Sequence, residues 1–275
     1  MIYYLNGKFV EKLKAFVRVN DLGLLRGYGI FEYLRTYDRV PFHLEDHLNR
    51  FFHSAQSLNL KSPASKEELR GIIFELIKIN KNFKELGFRV VLTGGETSDA
   101  KTSEKPTLFI IAANPLPYPK EFYLKGVKIL TFNYRREFPE IKTTNYLLAV
   151  SQWKNVLQKK AAEILYVFQG KALEASTSNF FTVKNKILFT PKNEILGGVT
   201  RKIVIKLAKE NKIKISEKPL FLKEVLKADE CFITATDKEI MPVVKIDRFK
   251  IKNGLVGEST KKLIEFFKEY TKNFS

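Results

Sequence analysis

Three prolines at alternate positions, in Asn114-Pro115-Leu116-Pro117-Tyr118-Pro119, restrict the fold of this chain more than any other feature. Proline has no backbone N–H and a fixed φ, so such a run fits neither a helix interior nor a central strand. The stretch reads as a connection. It predicts a small N-terminal domain over residues 1–113, an interdomain linker over 114–120 and a larger domain over 121–275. Strand and helix patterns occur on both sides of it, which predicts an α/β (α+β) chain.

In the first part, Tyr3-Tyr4-Leu5 runs into Asn6-Gly7, a short hairpin signal. Phe16 to Val19 reads as a further extended segment. Gly23, Gly27 and Gly29 then fall within seven residues, which implies close backbone approach or unusual dihedrals before the strand Phe31 to Tyr37. From Pro41 to Leu60 the apolar spacing of Leu44, Leu48, Phe51, Phe52 and Ala55 predicts a helix. All three histidines lie there, at His43, His47 and His53. His43 and His47 share a face but lack a third ligand, so no metal site is expected. Arg50, one turn after His47, is either a salt-bridging arginine or an anion ligand. Ser65-Lys66-Glu67-Glu68 is a capping box for the next helix. Strands follow at 88–93 and 107–112, with Gly94 to Asp99 as a polar loop between them.

The second part alternates strand (127–132), helix (145–159) and strand (163–168), then paired strands around Phe180–Val183 and Ile187–Phe189. A helix over 199–211 opens on Gly197-Gly198. Buried strands are expected at 231–234 and 243–246, and a last helix at 259–270.

Charge and cysteine narrow the classes. The net charge of +18 comes from lysines spread along the chain, with no aromatic-basic RNA motif or zinc-finger spacing. It argues for a solvated surface that gathers anions rather than for a nucleic-acid partner. No apolar stretch is long enough to span a bilayer, and the first residues lack a signal-peptide layout. Cys231 is the only cysteine, which excludes an intrachain disulfide and suits a reducing cytoplasm.

Three stretches carry chemistry. Gly197-Gly198-Val199-Thr200-Arg201 puts small residues before a helix, so unpaired amides and the helix dipole favour an anion such as phosphate. It is not a P-loop, because the Gly-Lys-Ser/Thr ending is missing. Glu174, followed by Ala175-Ser176-Thr177-Ser178-Asn179, is a carboxylate among small polar residues that could hold a ring nitrogen protonated. Lys142, in Ile141-Lys142-Thr143-Thr144-Asn145-Tyr146, if buried would be an amine easily deprotonated for imine formation. Each has an ordinary structural reading; their order raises the chemical one.

With these motifs the chain resembles the class IV pyridoxal-phosphate aminotransferases, the family of branched-chain and D-amino-acid aminotransferases and aminodeoxychorismate lyase. The likeness runs from Tyr4 to about Val243, through Asp21–Glu32, His47–Arg50, Lys142–Tyr146, Glu174–Asn179, Ile195–Arg201 and Thr234–Val243. It implies a fold-type IV enzyme: a small α/β domain, a larger domain with a β-barrel-like core, pyridoxal 5′-phosphate at the domain interface, and a homodimer. It also implies roles. Lys142 would form the internal aldimine, and Glu174 would partner the pyridine nitrogen. Arg50, Val199, Thr200 and Thr236 would hold the phosphate, and Tyr146 the phenolic oxygen. Arg26, Phe31, Tyr33, Arg89 and Ala235 would meet the substrate.

Neither subgroup pattern is complete. Gly94-Gly95 stands where the D-amino-acid enzymes have Arg-Gly and then a histidine. Phe31-Glu32-Tyr33-Leu34-Arg35 replaces the branched-chain Phe-Glu-Gly-Ile-Arg, and Thr234-Ala235-Thr236-Asp237 replaces Gly-Thr-Ala-Ala. The expectation is therefore transfer of an amino group between a D- or branched-chain L-amino acid and a 2-oxo acid such as 2-oxoglutarate. A lyase on the same lysine and a non-catalytic basic binding protein stand as alternatives.

Overall fold

The structure, a computed structural model, describes residues 1–274. The chain forms two compact units. One holds Met1–Leu116, Ile141–Asn145 and Phe274; the other holds Pro117–Glu140 and Tyr146–Asn273.

In the first unit, β1 (Ile2–Leu5) and β2 (Lys8–Glu11) form a hairpin about Asn6 and Gly7, both at positive φ. Because β2 takes the place beside β1, residues Phe16 to Val19 lie outside any strand and are exposed, contrary to their pattern. Short helix α1 (Leu22–Arg26) is capped by Asp21, whose Oδ1 accepts from the Gly23 amide at 2.7 Å. It leads into β3 (Gly29–Tyr37), β4 (Val40–Pro41), α2 (Leu44–Ser57), α3 (Lys66–Ile79), β5 (Gly87–Glu96) and β6 (Lys105–Ala113). The strands make one antiparallel sheet in the order β2-β1-β6-β5-β3-β4.

Strand β3 has period two. Ile30, Glu32, Leu34 and Thr36 are buried, while Phe31, Tyr33, Arg35 and Tyr37 are half-buried. Leu48, Phe51, Leu69, Ile73 and Leu76 of α2 and α3 join Leu34, Phe88, Val90 and Ile110 in one apolar core. Each such side chain contributes about 1.5–3 kcal/mol on burial. Helix α3 starts on the expected capping box: Ser65 Oγ accepts from the Glu68 amide, and Glu68 Oε2 accepts from the Ser65 amide. The expected loop at Gly94-Gly95 is instead the bulged end of β5. Gly95 has φ +68°, and a Cβ there would sit 1.8 Å from the Lys105 carbonyl oxygen.

The second unit contains α4 (Lys120–Leu124), β7 (Val127–Asn133), α5 (Leu147–Gln158), β8 (Glu163–Phe168), β9 (Lys171–Ala175), β10 (Asn179–Lys184) and β11 (Ile187–Thr190). Next come α6 (Val199–Glu210), β12 (Ile215–Glu217), β13 (Leu220–Phe221), α7 (Leu222–Val225), β14 (Glu230–Ala235), β15 (Glu239–Ile246), β16 (Phe249–Lys250) and α8 (Glu258–Lys272). Its mixed sheet runs β12-β11-β10-β14-β15-β7-β8-β9-β13, with β16 on β15, and curls into a half-barrel. Ile129, Leu165, Phe180, Ile233 and Met241 fill one core. Phe181 stacks on Phe232 at 4.8 Å, and α6 and α8 pack against β14. Because Asn179 pairs with Thr234, the start of β10 and the end of β14 share one sheet end.

Candidate active site

In the first unit the stretch around Lys142 lies along the start of β3. The Phe31 amide donates to the Lys142 carbonyl at 2.9 Å, and the Thr144 amide donates to the Gly29 carbonyl at 2.9 Å. Thr144 Oγ1 reaches the carbonyls of Gly27 and Gly29, each at 3.2 Å. This explains two of the clustered glycines. Gly27 has φ +67°, and a Cβ on Gly29 would stand 3.1 Å from both Thr144 Oγ1 and the Leu92 carbonyl oxygen. The glycine run thus seats the lysine segment.

Lys142 is half-buried rather than buried, and its Nζ lies 4.5 Å from the centre of the Phe31 ring. The Arg89 guanidinium lies 5.6 Å from the same ring. Arg89 opposes Tyr33 in the sheet register, so Phe31, Tyr33 and Arg89 project from the face opposite the α2–α3 core. Arg26 is exposed at the end of α1, where Nη1 donates to the Leu25 carbonyl. Among the described residues no contact joins it to that group.

Behind β3 lies a buried charged cluster. Glu32 accepts from Arg50 Nε at 2.8 Å and Nη2 at 2.6 Å, and from the Tyr33 amide at 2.8 Å; His47 Nδ1 lies 3.0 Å away. Burial alone would raise the Glu32 carboxyl, but Arg50 and His47 hold it well below the usual carboxylate range. Burial holds His47 below its ordinary value against the pull of Glu32, and Arg50 and Lys142 add to the lowering. A neutral His47 must therefore carry its proton on Nδ1 to face Glu32, and its buried Nε2 has no partner among the described residues. Arg50, expected at an anion, already gives two donors to Glu32.

The second unit knits together two motifs that lie apart in sequence. Glu174 Oε2 accepts from the Leu196 amide at 2.9 Å, and Asn179 Nδ2 donates to the Leu196 carbonyl at 2.8 Å. A Cβ on Gly198 would fall 2.0 Å from Asn179 Oδ1, so only glycine allows this approach; one on Gly197 meets nothing within 4 Å. Gly198 is the N-cap of α6. Among the described residues no side chain caps that helix, and its first turn holds no acidic residue. The amides of buried Val199 and Thr200 therefore have no intrahelical acceptor. Thr236 and Ala235 stand at the end of β14, where the buried Thr234 hydroxyl has no partner among the described residues. Tyr146 precedes α5; burial, opposed by Arg136, pushes its phenol up to about 12.

Sequence reading missed the partners of the carboxylates. Arg136 forms a buried pair with Glu174, its Nε 2.9 Å from Oε1 and its Nη2 on the same oxygen. Glu163, buried on β8, accepts from Thr177 Oγ1 at 2.7 Å and Ser178 Oγ at 2.8 Å, and from the Thr177 amide and Ser176 Oγ. Lys238, also buried, donates to Thr177 Oγ1 at 2.7 Å with Glu163 3.7 Å away. These residues brace the loop between Glu174 and Asn179. The one advance signal was Glu163 at the start of a strand-forming stretch; nothing local marked Arg136 or Lys238.

A profile of the family described as "Amino-transferase class IV" matches residues 29–246. A putative branched-chain-amino-acid aminotransferase of Methanocaldococcus jannaschii is 41% identical over 98% of this chain and 96% of its own. A D-alanine aminotransferase of Staphylococcus epidermidis is 31% identical over 99% and 98%. Among solved structures, a branched-chain amino acid aminotransferase of T.th. with pyridoxamine 5′-phosphate superposes with a TM-score of 0.90 at 25% identity, covering 98% of this chain and 93% of that one. A match that spans β3 to β15 and takes in both charged clusters makes this chain an enzyme of the class IV aminotransferase family.

Proposed function

We propose that the enzyme is a pyridoxal-5′-phosphate-dependent aminotransferase that moves an amino group from a branched-chain L-amino acid to a 2-oxo acid such as 2-oxoglutarate. The observation that carries this is the knot of Glu174, Asn179, Leu196 and Gly198. The contact between these two segments ties an acceptor-only carboxylate to the segment that leads into a helix start with no acidic residue in its first turn, an arrangement that fits a cationic ring nitrogen and a phosphate. When bound, the cofactor supplies the electron sink that weakens the substrate's α C–H bond.

The chain's own residues do the rest. Lys142 is the amine that holds the cofactor covalently, then takes the α-proton and returns it, as general base and then acid. Glu174 keeps a proton on the ring nitrogen. The Val199 and Thr200 amides, Thr236 and Arg50 bind the phosphate, and Glu32 sets the plane of the Arg50 guanidinium. Tyr146 donates to the phenolic oxygen; its raised pKa keeps that proton in place. Arg89 binds the substrate carboxylate, with Arg26 entering from a second copy of the chain, and Phe31, Tyr33 and Ala235 line the side-chain pocket. That second copy belongs to a homodimer. Its support is the apolar stripe Leu147, Val150, Trp153 and Leu157, left exposed along α5 at helical spacing. Among the described residues no helix is long and apolar enough to cross a membrane, and we place the enzyme in the cytoplasm.

A D-amino-acid substrate is the second reading, favoured by the Staphylococcus relative. Half-reactions with L-leucine, D-alanine, L- and D-glutamate and aminodeoxychorismate separate these. Cofactor amination by L-leucine ahead of D-alanine supports the first reading; the reverse order replaces it with the second. Release of a product without cofactor amination makes the protein a lyase.

A further inference from the structure

We propose that Arg136 is a positioning residue that holds Glu174 in its anionic form, so that the proton shared between Glu174 and the cofactor's ring nitrogen resides on the nitrogen. The proposal rests on the reading of Glu174 given above.

Donors meet both oxygens of the Glu174 carboxylate. Oε1 accepts from Arg136 Nε at 2.9 Å and from Arg136 Nη2; Oε2 accepts from the Leu196 amide at 2.9 Å and from Asn179 Nδ2 at 3.3 Å. A protonated Glu174 would carry an O–H with no acceptor in this set, so the anion is the form these neighbours satisfy. Arg136 is the cation among them, and the pair is buried, with side-chain exposures of 11% and 6%. In such surroundings a planar guanidinium fork is worth more than a solvated charge.

The placement of the cation matters as much as its sign. Arg136 sits against one oxygen of Glu174 and is held there by a further donation from Nη2 to the Pro139 carbonyl. A ring nitrogen held by Glu174 would meet the carboxylate, to which Arg136 is bonded directly. The guanidinium is then nearer the negative end of the Glu174–nitrogen pair and favours the charge-separated form over neutral acid and neutral ring. Titratable groups that share a field with Arg136 and Glu174 include Tyr134, Tyr146 before α5, Tyr166 and Glu163 on β8, and Lys238 after β14. Lys238 lies 3.7 Å from both Glu163 and Asp237, whereas Arg136 is bonded directly to Glu174.

The test loads wild type, R136K and R136Q with pyridoxal 5′-phosphate carrying 15N at the ring nitrogen and follows that resonance against pH. Melting temperature and retained cofactor are recorded in parallel. Wild type should hold the protonated resonance across the range in which it stays folded. R136K, which keeps the charge but loses the fork, should move the shared proton about tenfold toward Glu174, and R136Q about a hundredfold, read as a shift of the resonance toward its unprotonated position. A merely structural arginine would lower the melting temperature and leave the titration where it was, and that result overturns the proposal. If R136Q does not fold, R136K decides alone: a titration equal to wild type overturns it, a tenfold shift upholds it. Failure of wild type to retain any cofactor overturns the functional reading and this inference with it. Retained cofactor with an unmoved resonance overturns only the inference.

Discussion

Glu32→Gln removes a charge from the first unit while keeping side-chain volume, so no cavity forms and the effect is electrostatic. Four donors converge on Glu32: Arg50 Nε and Nη2, His47 Nδ1 and the Tyr33 amide. Two carboxylate oxygens satisfy all of them, three donors on Oε1 and Arg50 Nε on Oε2; the single amide oxygen of glutamine cannot, and even in the better orientation its NH2 group would face Arg50 Nε. Breaking one side of a buried pair costs about 3–5 kcal/mol, because the remaining charge is left uncompensated. At about 2–4 °C per kcal/mol for a chain of this size, the apo protein should melt about 6–20 °C lower. Scanning calorimetry on cofactor-free protein measures this directly. Replacing both partners, as in E32L with R50M, should restore part of the loss, since the uncompensated charge is then gone. The gap between wild type and E32Q should also close in acid. The folded Glu32 carboxyl lies below its unfolded value, so its contribution is present above about pH 4.3 and is lost as pH falls through that value toward the folded one. An E32Q protein that melts within about 2 °C of wild type would refute the picture of Glu32 as the hub of a buried ion cluster.

His47 gives the companion pH effect with its own window. Its folded pKa is lowered, so the unfolded chain binds the proton first and stability falls as pH drops below about 6.5; H47N, which keeps a donor toward Glu32, should flatten that slope in urea melts at stepped pH. G198A should push Asn179 away from Leu196, cost about 1–3 kcal/mol and weaken cofactor binding about tenfold in a fluorescence titration, whereas G197A should leave both near wild type. Equal behaviour of the two alanines would remove Gly198 from the phosphate cradle. Lys142→Ala should abolish the near-visible absorbance band of the cofactor-loaded protein; a band that survives in K142A assigns the covalent amine to another lysine.

Local pattern was enough for several features. The Asn6-Gly7 hairpin, the α3 capping box and the apolar face of α2 depend on residues within a few positions of one another, and short-range geometry writes them into sequence as spacing. The order of the lysine, glutamate and glycine motifs was likewise enough to indicate the family. Tertiary structure alone decided that Phe16 to Val19 stay out of the sheet, because β2 had already filled the edge beside β1. It alone extended β5 through Gly94-Gly95, since only a folded neighbour, the Lys105 carbonyl, forbids a side chain there. It also supplied Arg136 for Glu174, Lys238 for Glu163, and Arg50 with His47 for Glu32. These partners come from a helix and from connecting segments well separated along the chain from the carboxylates they meet. A buried charge needs its counter-charge in space, not in register, so nothing in the local sequence marks which of 48 lysines and arginines will provide it.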